Sequence, residues 1–191
     1  MNLVLASSSP YRQSLLRQLM VDFTTVVPNV DETPLPGESP SIMVERLSVL
    51  KAKTGANSQR NALVIGSDQT AVQNGKIVGK PLDHSHAVQQ LVAASGRKTI
   101  LYTGIALINT NTGNTQSDVV SYEVTFKNLS EEQINKYLEK EQPYNCCGSL
   151  RADGLGIALL QSLSGSDPSA LIGLPLIRLV EMLKQENFNV V

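Results

Sequence analysis

A short apolar run at residues 3–6 stops at Ser7-Ser8-Ser9-Pro10, and a helical pattern through Leu15, Leu16 and Leu19 follows at once. A buried strand that hands over directly to a helix is the start of a βα unit, which commits the chain to an α/β architecture. Ser9 is a natural N-cap and Pro10 a natural first helical residue, because proline lacks the N–H that would be unpaired there.

The rest of the chain adds to this start without repeating it. A second short strand is predicted near residues 23–27, followed by an irregular loop, Pro28-Asn29-Val30-Asp31-Glu32-Thr33-Pro34, that carries two carboxylates. Residues 40–54 suit a helix with Ile42, Val44, Leu47 and Leu50 facing inward, and 63–65 a buried strand ending at Gly66-Ser67-Asp68-Gln69. Asn74-Gly75 predicts a hairpin turn, since that pair accepts positive φ. Asp83 caps a helix to about Ala94, and residues 99–109 and 118–127 read as a long antiparallel pair with Tyr122, Val124 and Phe126 alternating. Helix 130–140, a loop rich in Pro, Cys and Gly, strands near 148–163 and a final helix 173–186 complete the pattern. Mixing βα units with long antiparallel strands predicts a mixed, strongly curved β-sheet flanked by helices, with a cleft between two lobes, in one domain over residues 1–191.

Composition narrows the partners. Lys plus Arg number 16 against 17 Asp plus Glu, a formal net charge of −1, so no broad cationic field exists for nucleic acid. No segment approaches the roughly 20 apolar residues of a membrane span, and the start lacks a secretory signal pattern. The two cysteines, Cys146 and Cys147, are neighbours, and a bridge between neighbours is strained. Two reduced thiols in a soluble, cytoplasmic chain fit best. A small anionic ligand needs only a local cluster of charge.

Several positions supply one. Ser7 to Arg12 places hydroxyls, unpaired backbone N–H groups and a guanidinium at one helix N-terminus, which favours phosphate, although simple capping by Ser9 accounts for much of the pattern. Glu32 in its loop and Asp68 at the end of its strand can share a magnesium ion with substrate phosphate oxygens, and either can activate water. Lys51, late in its helix, and Lys80, in Gly79-Lys80-Pro81, can neutralise a phosphate leaving group. Lys53 lies two positions from Lys51 and cannot share its helix face, so it reads as surface. His84 and His86 start a helix with their rings pointing apart and read as solvent-facing.

Taken together, Leu5-Ala6-Ser7-Ser8-Ser9-Pro10-Tyr11-Arg12, Val30-Asp31-Glu32, Arg46-Leu47-Ser48-Val49-Leu50-Lys51-Ala52, Gly66-Ser67-Asp68-Gln69 and Gly79-Lys80-Pro81 resemble the Maf family in order and spacing. The likeness continues through Tyr102-Thr103-Gly104, Cys147-Gly148-Ser149 and Leu171-Ile172-Gly173-Leu174-Pro175-Leu176. It implies a fold similar to the inosine triphosphatases and a hydrolase that cleaves a nucleoside triphosphate to a monophosphate and pyrophosphate with a divalent cation, Mg²⁺ or Mn²⁺. It also implies Asp68 as the catalytic carboxylate, Glu32 and Asp68 at the metal, and Ser8, Arg12, Lys51 and Lys80 at the phosphates, and it leaves room for a homodimer.

Three positions bear on the base. The branch of the family acting on dTTP and UTP typically has Arg, Thr and Gln where this chain has Tyr11, Gln69 and Asp153, whereas the branch that hydrolyses 7-methyl-GTP typically has an aromatic residue, Gln and an acid. This chain resembles the second, with Tyr for the more frequent Trp and Asp for the more frequent Glu. Methylated guanine is cationic, so the face of Tyr11 can stack on it, and Asp153 can accept from guanine N–H donors. A dTTP/UTP enzyme of the same family and a nucleotide-binding regulator of septum formation are the alternatives.

Overall fold

A computed structural model describes residues 1–191. Its strands are β1 (Asn2–Ala6), β2 (Thr24–Val26), β3 (Ala62–Gln73), β4 (Lys76–Val78), β5 (Lys98–Asn109), β6 (Thr115–Phe126) and β7 (Leu160–Gly165). Its α-helices are α1 (Pro10–Arg17), α2 (Pro40–Ala56), α3 (His84–Ala94), α4 (Glu131–Glu141) and α5 (Leu176–Gln185). Hydrogen bonding follows the order β2-β1-β3-β5-β6-β7, with β4 on β3. β1 pairs in parallel with β2 and β3, while β4 runs antiparallel to β3 and β7 to β6, so the sheet is mixed as expected.

The chain divides into two compact units, one of Met1–Asp68, Thr103–Val120 and Asp167–Val191, the other of Gln69–Tyr102 and Ser121–Ser166. Strands β3, β5 and β6 each run from one into the other.

In the first unit, strand alternation sorts side chains onto two faces. Leu3, Leu5, Leu63, Ile65, Ile105 and Leu107 pack with Leu15 and Leu16 of α1 and Leu179, Met182 and Leu183 of α5. The opposite face carries Val4, Ala6, Ala62 and Val64 and, on β5, Ala106 and Ile108, which pack with Ala52 of α2. Helices α1 and α5 thus cover one face and α2 the other. The buried side of α2 includes Val44, Ser48, Lys51, Ala52 and Gly55, a stripe at helical spacing that is mostly small. Small residues let α2 lie close: a Cβ on Gly66 would sit 2.2 Å from the Ser48 carbonyl oxygen, and one on Gly104 would sit 2.2 Å from that of Val44. Ile42, expected inward, is 60% exposed, because it lies outside this stripe.

In the second unit α3 buries Ala87, Leu91 and Ala94, and α4 buries Ile134, Tyr137 and Leu138. Tyr122, Val124 and Phe126 of β6 are buried in alternation, as their spacing predicts. The expected strands near 148–163 reduce to β7, since Cys147–Ser149 and Leu155–Leu159 form 3-10 turns. Gly148, at φ +64°, breaks any extended path there. The last helix begins at Leu176, after the 3-10 turn Pro168–Leu171 and Gly173, whose φ of +119° suits only glycine. No helix is long and apolar enough to cross a membrane, and neither cysteine is in a disulfide.

Candidate active site

Strand β3 passes through the predicted end of its apolar run and continues to Gln73, so Asp68 lies inside the strand. Gly66 and Asp68, two residues apart, share the α2 face. Close approach at Gly66 therefore brings the α2 stripe to Asp68, and Lys51 Nζ donates to Asp68 Oδ1 at 2.6 Å. The same ammonium lies 2.6 Å from Glu32 Oε1 of the irregular loop. Side chains of Lys51 and Asp68 are only 7% and 10% exposed, so each charge depends on the other, whereas Glu32 is 58% exposed. Glu32, Lys51 and Asp68 thus converge, although a surface lysine would have been the ordinary reading of position 51.

On the other face of β3, Ser67 is fully buried and its hydroxyl lies 2.8 Å from the Gly104 carbonyl oxygen and 2.9 Å from that of Gly173. Arg12 Nε donates to that same Gly173 oxygen at 2.7 Å. One carbonyl thus ties the guanidinium at the start of α1 to the residue beside Asp68. Neither Ser67 nor Gly173 was singled out for this role by sequence. The signal was present in Gly173 itself, next to an apolar helix start, but its partner lies far away in the chain.

The three serines divide their work. Ser7 is buried and its Oγ accepts from Ser9 N at 3.1 Å, while Ser9 Oγ accepts from Arg12 N at 3.4 Å and caps α1. Ser8 is left exposed, and Tyr11 is half-buried.

The loop carrying Glu32 is organised by hydrogen bonds. Asp31 Oδ1 accepts from Thr33 Oγ1 at 2.6 Å and Thr33 N at 2.9 Å, and the Thr33 hydroxyl, then its N–H, hold the Asp31 carboxyl below its ordinary range. Arg46 forms a fork on Glu38, Nε to Oε1 at 2.6 Å and Nη2 to Oε2 at 2.8 Å, which lowers the Glu38 pKa and raises that of the guanidinium.

The second unit holds Gln69, Lys80 and Asp153. Lys80 is exposed in a loop whose preceding residue is fixed, because the Gly79 oxygen accepts from Gly148 N at 3.1 Å and Gln90 Nε2 at 3.3 Å. The Gln69 carbonyl accepts from Cys147 Sγ at 3.3 Å. Asp153 is exposed, with Arg151 Nε 3.4 Å from its carboxylate, and Arg151 itself is held more closely by Glu141 at 2.7 Å. His84 and His86 are exposed, against Tyr144 at 3.1 Å and Asp83 at 2.6 Å, and Lys53 is at the surface.

A mixed α/β sheet that brings an acid on a core strand to a lysine on a covering helix defines an α/β protein with a charged polar centre. The family of Maf-like proteins matches residues 2–186, and the chain belongs to it. It is 53% identical over 188 residues to a protein of Nitrosococcus oceani named 7-methyl-GTP pyrophosphatase, covering 98% of this chain and 94% of that one. Proteins of the same name from Vibrio vulnificus and Methylobacillus flagellatus are 50% and 48% identical, over 98% and 99% of this chain and 96% and 98% of theirs. Among solved structures it is similar to the Ham1 protein of Staphylococcus aureus, with a TM-score of 0.46 and 14% identity over 66% of this chain and 72% of that one.

Proposed function

We propose that this chain is a 7-methyl-GTP pyrophosphatase, which hydrolyses N7-methylguanosine triphosphate to the monophosphate and diphosphate and so clears a modified nucleotide. The observation that carries the chemistry is the meeting of Glu32 and Asp68 on Lys51, 2.6 Å from each. The substrate name is supported by relatives of about half identity over nearly the whole chain.

In this reading Asp68 takes the proton of the attacking water as the oxygen–phosphorus bond forms, and the departing diphosphate leaves with the electrons of the broken P–O bond. Lys51 and Arg12 stabilise the charge that develops, and the exposed Ser8 hydroxyl donates to a phosphate oxygen. The ion pairs of Lys51 with Asp68 and Glu32, and the bond from Arg12 Nε to the Gly173 carbonyl, support these roles.

One or two carboxylates are the protein donors that Mg²⁺ or Mn²⁺ takes when it completes its shell with substrate oxygens and water, and the two that meet at Lys51 support this reading; no three His, Cys, Asp or Glu side chains gather as a cage. Glu32 and Asp68 would hold that cation, which would supply charge neutralisation at the phosphates. For the base, Tyr11 offers a face for stacking on cationic guanine. On the chemistry of their side chains, we assign Asp153 and Gln69 to the guanine edge and Lys80 to the phosphates.

The deciding experiment is pyrophosphate release from a panel of 7-methyl-GTP, GTP, dTTP and UTP with Mg²⁺ or Mn²⁺. 7-Methyl-GTP is expected to give the highest kcat/KM, by about tenfold over GTP from stacking. Cleavage of dTTP or UTP at least as efficient would overturn the substrate assignment.

A further inference from the structure

Residues 27–39 form neither strand nor helix and are exposed or half-buried throughout, yet they carry the carboxylate that meets Lys51. The hydrogen bonds of Asp31 to Thr33 stiffen the backbone around Glu32 but tie it to nothing beyond the loop. One guanidinium from α2 does make that link. Arg46 Nη2 donates to the Thr33 carbonyl at 3.3 Å, immediately after Glu32, while Nε and Nη2 hold Glu38 at 2.6 and 2.8 Å. The Glu38 side chain is 4% exposed, and its Oε2 also accepts from Leu35 N at 3.1 Å, so the fork grips a point that itself folds the loop. A planar fork with several donors can span a carboxylate and a carbonyl together, whereas a single ammonium cannot form the same pair of parallel bonds. Arg46 lies five positions before Lys51 on α2, so one helix both fixes the loop and receives its carboxylate.

We infer that Arg46, acting through Glu38 and the Thr33 carbonyl, is a positioning residue that sets Glu32 for cation binding without touching substrate. The inference rests on the reading that Glu32 is a ligand of the divalent cation.

The test compares Arg46→Lys, Arg46→Ala, Glu38→Ala, the double variant and Glu32→Gln in the full-length protein. Mn²⁺ binding is titrated by electron paramagnetic resonance, and 7-methyl-GTP turnover is measured as a function of Mn²⁺. Hydrogen exchange is followed over residues 28–38. Arg46→Ala and Glu38→Ala are each expected to weaken Mn²⁺ binding roughly tenfold, the low end of what a residue supporting a metal ligand contributes. In both, kcat at saturating Mn²⁺ should stay within about threefold of wild type, and exchange in the loop should quicken. Arg46→Lys should retain the charge and yet fall nearer to Ala than to wild type, and the double variant should be no worse than Arg46→Ala. Unchanged Mn²⁺ affinity or unchanged exchange in Arg46→Ala, with Glu32→Gln weakened, overturns the role of Arg46 alone. A fall in kcat that saturating Mn²⁺ does not restore does so too. If Glu32→Gln binds Mn²⁺ like wild type, the cation reading of Glu32 fails, and this inference with it.

Discussion

Asp68 and Glu32 present the same chemical group to the same ammonium at the same 2.6 Å, but they are held by opposite means. Asp68 is part of a twelve-residue strand, and its position follows from backbone pairing and from the contact of Gly66 with α2. Glu32 sits on a loop with no ladder partner and is held by side-chain hydrogen bonds and two cations of α2. A strand places a carboxylate through steric fit, which withstands pH and salt. A loop places it through electrostatics, which respond to both and can let the group move when a ligand arrives.

The largest effect should come from the rigid side of this pair. Asp68→Asn keeps the shape but removes the proposed base and anionic ligand and leaves the buried Lys51 ammonium with Glu32 alone, so kcat should fall on the order of 10²–10⁴-fold and the melting temperature should fall as well, in a protein that still folds. Activity within a few-fold of wild type would take Asp68 out of the mechanism.

Next is the contact that delivers Asp68 to Lys51. Gly66→Ala would put a methyl carbon 2.2 Å from the Ser48 oxygen and 2.6 Å from Ala52 N, both backbone atoms that move only with α2. A loss of about 1–3 kcal/mol in unfolding free energy is expected, together with lost turnover, both measurable on one preparation. Unchanged denaturation would show that α2 is less tightly seated than its contacts indicate.

A smaller change is expected on the loop side. Glu32→Gln should raise the Mn²⁺ concentration for half-maximal turnover by at least about tenfold and leave the melting temperature within a degree or two, since the residue is more than half exposed. A large fall in melting temperature would mean that Glu32 is structural after all.

The smallest concerns a carboxylate held by neutral donors instead of cations. Glu186 has its pKa lowered from the ordinary 4.5, first by the Asn109 amide at 2.6 Å and then by Asn114 and Gln116, against some opposing desolvation. A lowered folded pKa contributes stability above the unfolded value, and this contribution is lost as pH falls through the folded one. Glu186→Gln should therefore be less stable than wild type near pH 7 by no more than about 1 kcal/mol after screening, with the gap closing as pH is taken below 4.5. Urea midpoints at several pH values measure it, and a gap that widens in acid would reverse the argument.

Local signals in the sequence carried much of the fold. Ser9, Asp83 and Ser130 cap α1, α3 and α4, and Asn74 and Gly75 both take positive φ in the β3–β4 turn. Such features depend on residues three or four positions apart, so the chain displays them without folding. Residues 148–163 were harder, because short apolar pieces between glycines satisfy a strand pattern and a 3-10 turn equally well.

The candidate site was legible as a set of residue types and, through the family likeness, as a list of positions. Its geometry was not. Nothing near Lys51 in the chain shows that it is buried, that Glu32 and Asp68 share it, or that Arg46 reaches both Thr33 and Glu38. Nor does anything near Arg12 point to the carbonyl 161 residues away that it shares with Ser67. The sequence by itself determined the caps, the turns, the alternation and the kinds of charge available, because these are properties of neighbours along a chain. Only the tertiary structure decided which charges meet, because the approach of α2 to β3 depends on Gly66, Gly104 and the small residues of α2 being brought face to face from distant parts of the chain.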